Sequence, residues 1–167
     1  MIEKIINALN NHCDNSEQFH ILTQEIAADV SSKFKCYCKT EPWGNYTYSN
    51  KIILFFNNNQ PCLSKSDMFD RELYLLLSAR GPFYTFMNYM KTNDKDLNGK
   101  PLWIIVDNDN LPKEILKNIK TITTVLRKYN MQFVNDKQML EQVAEGHYTE
   151  LDGAPASVYE ILFGEII

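Results

Sequence analysis

The segment that decides the fold is residues 102–134, which read LWIIVDNDNLPKEILKNIKTITTVLRKYNMQFV. It opens with the continuous apolar run Leu102–Val106, which is typical of a strand covered on both faces of a sheet. A helix is predicted from Pro112 to Tyr129, with an apolar face made of Ile115, Ile119, Ile122 and Leu126. Met131–Val134 has the composition of a short second strand. Together these elements predict a βαβ unit of the usual right-handed sense.

Two helices are predicted at the N-terminal end of the chain. The first has apolar residues at helical spacing, namely Ile2, Ile5, Ile6, Leu9 and Cys13. Asp14 and Glu17 have the spacing of a capping box and are predicted to begin the second helix. Its apolar stripe consists of Phe19, Leu22, Ile26 and Val30. Because few residues separate the two helices, we expect them to form a helical hairpin.

An antiparallel meander is predicted between the helical pair and the βαβ unit. From Phe34 the apolar period changes to two, and after a turn at residues 41–44 further strands are predicted at residues 46–48, 51–56, 72–78 and 83–90. Residues 70–79 are also compatible with a helix. Phe83–Met90 is aromatic on both faces, so one face is expected to pack on helices. The other face is either a binding platform or, as we favour, part of the core.

The C-terminal part of the chain predicts two more helices. Asp136–Glu145 reads as a helix closed by Gly146, and Pro155 is well placed to begin a last helix through Phe163. Residues 91–100 are expected to form a polar loop, and no linker or repeat divides the chain, so residues 1–167 are predicted to be one globular domain. The predicted fold class is α+β, with an N-terminal helical pair, an antiparallel meander and a C-terminal βαβα segment on one mixed sheet.

Composition restricts the compartment and the class of partner. The 167 residues contain no apolar run near the length of a membrane span, and the early acid Glu3 is unlike a secretory signal, so we expect a cytoplasmic protein that does not bind membranes. Seventeen Asn, 15 Ile and 14 Lys against three Arg indicate an AT-rich, bacterial genome. With so few arginines and a pI of about 5.4, we expect no nucleic-acid partner.

The four cysteines are expected to be reduced core residues, and no cofactor or metal ion is expected. Cys36 and Cys38 are the pair that most invites a metal interpretation, together with Cys62, Cys13 or His12. Because alternate strand residues stand apart, we expect their thiols to be too distant to hold one ion easily. Burial as small apolar side chains is the favoured interpretation.

An acidic loop follows the apolar run. The strand Leu102–Val106 leads directly into Asp107-Asn108-Asp109-Asn110, and this stretch of about ten residues resembles the first motif of haloacid-dehalogenase-type phosphotransferases. The resemblance implies Asp107 as nucleophile, Asp109 as acid/base and a bound Mg²⁺. The rest of the chain carries no paired acidic motif that would complete such a site. A polar loop before a helix is the alternative interpretation, and we favour a protein without a catalytic set.

The C-terminal segment carries most of the negative charge. Residues 1–135 contain 14 acids and 16 bases, whereas residues 136–167 contain seven acids and one base. The segment ends in an aromatic, apolar and acidic stretch, Val158–Glu165. This small acidic α+β chain resembles the bacterial toxin-immunity proteins, which implies a non-enzymatic inhibitor that binds another protein, such as a cognate basic toxin domain. A structural subunit of a larger complex is a further alternative.

Two groups of residues are predicted to contact the protein partner. The acidic group is Glu141, Glu145, Glu150 and Asp152, of which the first two are expected one turn apart on the same helix face. Exposed acids of this kind speed association with a basic partner. The aromatic group, at a Pro-Gly turn, is Trp43, Tyr46 and Tyr48. A Trp43 folded over the edge of the core is the equally weighted alternative.

Overall fold

A mixed sheet of seven strands organises the computed structural model, which describes residues 2–44 and 46–164. The strands are β1 (Cys38–Glu41), β2 (Ser49–Asn57), β3 (Gln60–Pro61), β4 (Arg71–Ser78), β5 (Phe83–Lys95), β6 (Pro101–Val106) and β7 (Gln132–Phe133). They lie in the order β1-β2-β4-β5-β6, with β3 beside β2 and β7 beside β5. The helices are α1 (Ile2–Leu9), α2 (Glu17–Phe34), α3 (Lys113–Arg127), α4 (Lys137–Leu140) and α5 (Val158–Phe163), and β8 (Val143–Tyr148) pairs with β9 (Pro155–Ser157). The predicted α+β class is confirmed.

Helices pack against parts of both faces of the sheet. Successive strand residues point to opposite sides, so each strand contributes side chains to two core clusters. Leu73, Leu75 and Leu77 of β4 lie in one core cluster with α2 and α3. Leu76 of β4 and Phe83 of β5 lie in a second cluster with α1 and α5. The predicted antiparallel meander is confirmed for β2, β4 and β5, and the helical alternative for residues 70–79 is wrong.

The ends of the N-terminal helices differ from the prediction. Ser16, not Asp14, caps α2, because its Oγ accepts a hydrogen bond from the Phe19 N–H. The Asp14 carboxylate instead accepts from the Ser16 N–H at 2.8 Å. At the other end, Lys35 adopts a left-handed conformation and donates to the Ser31 carbonyl, which ends α2. Phe34 therefore belongs to α2 and not to a strand.

The predicted βαβ unit is wrong in its geometry. β6 pairs antiparallel with β5 from Asn88 onward, whereas β7 pairs parallel with Phe83 and Tyr84. The two strands therefore share one edge of β5 and run toward each other. β6 is also not covered on both faces, since its residues Leu102, Trp103, Ile104 and Ile105 are 44%, 38%, 46% and 50% exposed. α3 packs with α2 in the first core cluster rather than over β6.

Several predicted boundaries near loops are also corrected. Residues 46–48 are not a strand, because Tyr46 has a positive φ of 64° and β2 begins at Ser49. The first half of the expected loop at 91–100 belongs to β5, which ends at Lys95. Among the described residues, no helix combines the length and apolar character needed to cross a membrane.

The C-terminal segment folds differently from the two helices predicted. α4 ends at Leu140, and the residues expected to continue it form β8. Pro155 lies in β9, and α5 begins one element later behind a capping box made by Ser157 and Glu160. The last carbonyls of α5 accept hydrogen bonds from Ser49 Oγ, Ser78 Oγ and Arg80 Nε at 2.7, 2.7 and 2.8 Å. These bonds fix α5 to the ends of β2 and β4.

Candidate partner-binding surface

One face of the sheet carries a row of aromatic side chains that the helices leave uncovered. We call it the open face; its aromatic members are Tyr37, Phe55, Phe69, Tyr74, Tyr89 and Trp103. Five of them are half-buried, and Trp103 is 38% exposed. They lie on the side of the sheet that faces α1 and α5, beyond the part that those helices cover. The predicted split of strand 83–90 is confirmed, since Tyr84 and Phe86 pack with α2 and α3 while Tyr89 lies on the open face.

The register of the strands assembles this surface. Phe55 of β2 lies opposite Glu72 of β4, which lies opposite Tyr89 of β5, which lies opposite Ile105 of β6. These four residues therefore form one row across the sheet. Tyr74 is two residues along β4 from Glu72, so it points to the same side, and its ring lies 4.8 Å from the Tyr89 ring.

A chain of ring contacts spans the open face. The Tyr37 and Phe55 rings stack at 5.7 Å, and Phe69 contacts Phe55 edge-on at 4.8 Å and Trp103 at 5.8 Å. Phe69 thus bridges β2 and β6 over the two strands between them. Aromatic pairs in these geometries each add about 0.5–1.5 kcal/mol beyond their buried area. The surface is therefore held in one arrangement before any partner arrives.

The polar groups of the open face are paired within it. The Tyr74 hydroxyl donates to Glu72 Oε2 at 2.9 Å, and Lys39 Nζ lies 2.7 Å from Glu41 Oε1. Burial, and then the Glu72 carboxylate, raise the pKa of the Tyr74 phenol. Burial also raises the pKa of Tyr89. Both phenols therefore stay neutral at physiological pH, so these two rings add no charge to the surface.

Three adjoining depressions follow the open face. One of about 310 Å³ lies between Tyr37, Phe55 and Tyr74, and one of about 190 Å³ is lined by Tyr74, Met87 and Tyr159. The third is a crevice of about 560 Å³, lined by Met87 and Tyr159 among others, at the gap between the ends of β6 and β7. Shared lining residues join the three into one band across the sheet.

The crevice contains the acidic loop that follows β6. Asp107 Oδ2 lies 2.8 Å from Lys137 Nζ, and Asp107 Oδ1 accepts from the Asp109 N–H at 3.2 Å. The hydrogen bond from Lys137, followed by that from the Asp109 backbone, lowers the pKa of the Asp107 carboxyl. Within residues 2–44 and 46–164, no three His, Cys, Asp or Glu side chains cluster as a metal site would require. Phosphotransfer centred on Asp107 and Asp109 stays an untested prediction.

Asn108 completes the sheet where β6 and β7 leave a gap. Its Nδ2 donates to the Phe86 carbonyl of β5 at 3.2 Å, and its Oδ1 accepts from Asn88 Nδ2 at 2.7 Å. Phe86 and Asn88 are both buried, so these polar groups need partners. The Asn108 side chain provides them, in place of a neighbouring strand. This gives the acidic loop a structural role.

The four predicted acidic residues are all exposed. Glu141 follows α4 and lines the crevice, whereas Glu145 lies on β8, so the expected shared helix face is wrong. Glu150 and Asp152 lie in the loop between β8 and β9. Asp152 is held there, because its Oδ1 accepts from Thr149 Oγ1 and from the Ala154 N–H. Whether these acids contact a partner stays a prediction.

Two of the three predicted turn aromatics, Trp43 and Tyr48, lie against the protein interior. Trp43 packs on the first core cluster, and its Nε1 donates to the Asp14 carbonyl at 2.7 Å. Tyr48 is only 7% exposed and lies under the Arg80 guanidinium at 5.1 Å, so the expected exposure is wrong for this residue. Tyr46 is half-buried. Trp43 therefore folds over the core edge, which leaves it little area for a partner.

The cysteine thiols are free, and one pair is closer than expected. Cys36 Sγ and Cys38 Sγ lie 3.7 Å apart, so the expectation that these thiols stand too far apart is wrong. The hydrogen bond between them raises the pKa of the Cys38 thiol, and burial acts in the same direction. The same hydrogen bond lowers the pKa of Cys36. Both thiols lie against the first core cluster, as expected for structural cysteines.

Comparison of the chain with protein-family models, curated proteins and solved structures finds no match. The physical character of its surfaces therefore has to indicate its function. Sequence reasoning offered a binding platform on one face of residues 83–90 only as the alternative to core, and it did not anticipate the rings that other elements add to the open face. A signal for it was present, because strand residues Tyr74 and Tyr89 each alternate with residues of the opposite core face.

Proposed function

We propose that this chain is a non-enzymatic protein-binding domain that attaches to another protein through the open face. The observation that carries the proposal is the continuous aromatic band from Tyr37 to Trp103, half-exposed and flanked by three adjoining depressions. Contiguous exposed apolar surface of this kind marks interaction sites in soluble proteins. Tyr and Trp are also enriched among the residues that carry most of the binding energy at interfaces.

The open face meets the physical requirements of an interface core. Its rings are already fixed by contacts with one another, so binding costs little side-chain entropy. The Lys39–Glu41 and Tyr74–Glu72 pairs satisfy polar groups internally, which lowers the cost of covering them. A partner with a convex apolar segment therefore fits this surface better than a small charged ligand does.

The partner class we propose is a toxin domain with basic surface, which makes this chain an immunity-type inhibitor. Glu141 supports this assignment because it lies in the crevice that adjoins the open face. Glu145, Glu150 and Asp152 are exposed on β8 and its loop. We assign them to long-range attraction, which speeds association more than it tightens the complex. We also propose that the protein acts in the cytoplasm, where free thiols stay reduced.

Binding to the product of the neighbouring open reading frame tests this function. An immunity protein is expected to bind that product directly and to protect cells that express it. Tyr89→Ala should weaken binding by at least about 30-fold, the loss typical of a central interface residue. Ile21→Ala is the matched control, since Ile21 is 45% exposed on α2, away from the open face. Equal effects of the two substitutions, at equal folded fraction, would show that the open face is not the interface.

A charge-reversal variant separates long-range electrostatic attraction by the four acids from direct contact at the open face. Changing Glu141, Glu145, Glu150 and Asp152 to Lys should slow association strongly at low salt, and high salt should remove most of the difference. The fold should persist, because all four side chains are exposed. An unchanged association rate would contradict the assignment of these acids, although the Tyr89 result would still decide the role of the open face.

A further inference from the structure

β6 is a free edge of the sheet, and its outward hydrogen-bonding groups can be assigned. Thr92 Oγ1 of β5 donates to the Leu102 carbonyl at 3.0 Å, so the backbone of Leu102 points toward β5. Backbone direction alternates along a strand, so Ile104 also points toward β5. Trp103 and Ile105 therefore present their N–H and C=O groups outward, away from the sheet.

This edge lacks the features that keep sheet edges apart. Exposed edge strands are usually protected by a charged side chain, a proline or a bulge. The stretch from Leu102 to Val106 contains no charged side chain and no proline, and the proline of β6 is its first residue, Pro101. Its pairing with β5 is regular from Trp103 to Val106. Both faces of the strand are apolar and exposed, with Leu102 and Ile104 on one side and Trp103 and Ile105 on the other.

We propose that β6 pairs with β6 of a second copy of this chain and makes a symmetric dimer with a continuous sheet. In antiparallel pairing about a twofold axis at Ile104, Trp103 of each copy lies opposite Ile105 of the other. The outward N–H and C=O groups of those residues then bond to one another. The pairing also places an aromatic ring beside a β-branched side chain, a stabilising cross-strand combination.

Charge complementarity favours a second copy as the occupant. With the axis at Ile104, Pro101, the first residue of one β6, lies opposite Asp107 of the other copy, and Lys100 directly precedes Pro101. The facing loop carries two exposed acids, Asp109 and Asp107, of which Asp107 already pairs with Lys137. The basic start of each strand therefore meets the acidic end of its neighbour, twice in the dimer. The dimer goes beyond the proposed function and does not depend on it, since its hydrogen bonds form along the strand edge, although it shares Trp103 with the open face.

Variants at the axis test the dimer. Ile104 is 46% exposed, so Ile104→Lys and Ile104→Glu should both fold. Each should place two like charges opposite each other and weaken self-association by at least about tenfold. A mixture of the two variants should restore it, because Lys then faces Glu. Ile21→Lys is the control for an added surface charge away from the edge.

Sedimentation equilibrium provides the readout. The wild type and Ile21→Lys are expected to have about twice the 19.5 kDa mass of one chain. Each Ile104 variant alone should have the mass of about one chain, and the mixture of the two variants should again have the mass of about two. Ile105→Pro gives a second test, because it removes an outward N–H while the bonds of Ile104 to β5 remain. A wild type that stays at one chain, or Ile104 variants that stay at two, would overturn the dimer. A single-chain wild type that still binds the neighbouring gene product would leave the proposed function standing.

Discussion

Asn108→Ala should destabilise the fold, because the Asn108 side chain replaces a strand at the gap between β6 and β7. The substitution removes two hydrogen bonds, at 3.2 Å to the Phe86 carbonyl and at 2.7 Å from Asn88 Nδ2. Phe86 is 4% exposed and Asn88 is 0% exposed, so both groups lose their partner in a buried setting. Leaving a buried polar group unpaired costs about 1–3 kcal/mol.

The expected loss is about 3 kcal/mol in the free energy of unfolding. The two bonds contribute about 1 kcal/mol each, and desolvation of the groups left behind adds to that sum. Water that enters from the crevice keeps the loss below the upper limit of about 6 kcal/mol that two full penalties would give. For a chain of this size, 1 kcal/mol shifts Tm by about 2–4 °C, so we expect Tm to fall by about 6–12 °C.

Urea unfolding of Asn108→Ala beside Asp109→Ala provides the assay. Asp109 lies in the same turn but is exposed, so its substitution should change stability by less than about 0.5 kcal/mol. In a double-mutant cycle, Asn88→Ala and Asn108→Ala should couple by about 1 kcal/mol. A loss below about 0.5 kcal/mol for Asn108→Ala would refute the structural role of this loop and would strengthen the phosphotransferase alternative.

Four further outcomes follow from local geometry. Gly164→Ala should cost about 3 kcal/mol in urea unfolding, because φ is 123° and a Cβ would lie 2.7 Å from the Thr47 Cα. Trp43→Ala should lower stability by about 2–3 kcal/mol, and Trp43→Phe by only about 1 kcal/mol, the value of its indole hydrogen bond. Thiol titration in denaturant without reductant should find all four cysteines free. Hydrogen bonds from Ser16 lower the pKa of Asp14 below its ordinary 3.8. The Asp14 carboxylate therefore stabilises the fold above pH 3.8, and this contribution is lost as the pH falls through the pKa of the folded state. Asp14→Asn should therefore reduce the fall in stability at acidic pH, as measured by urea unfolding at a series of pH values.

The sequence predicted those elements whose residues alternate between two covered faces. In β4 the residues Leu73, Leu75 and Leu77 belong to one core cluster and Leu76 to the other, so both faces are apolar and the sequence predicted a strand with a helix as the alternative. α3 was clearer, because Ile115, Ile119 and Ile122 recur at helical spacing. In both elements, local pattern and tertiary packing require the same conformation.

Prediction was wrong where tertiary pairing overrides local preference. Residues 136–145 have good helix formers, yet Val143 pairs with Ser157 of β9 and α4 stops at Leu140. Strand formation depends on a neighbour that is distant in the chain, so a local pattern does not indicate it. The same reason explains why the sequence indicated no more of the open face than residues 83–90, since Phe55 and Tyr89 lie in one row with Glu72 of β4 only through strand register.

The prediction that β6 is covered on both faces was wrong for a different reason. A continuous apolar run such as Leu102–Val106 predicts a strand covered on both faces, because exposing four large apolar side chains in a row is costly. In one chain this cover is missing, since these side chains are 38–50% exposed. In the proposed dimer, a second β6 supplies hydrogen bonds to the outward groups of Trp103 and Ile105 and lateral apolar contact beside their side chains. Edge pairing does not cover the faces of a strand, so it lowers the exposure of these side chains without burying them on both sides. The apolar run is therefore explained by pairing at the edge, and the rule of two covered faces does not hold for β6.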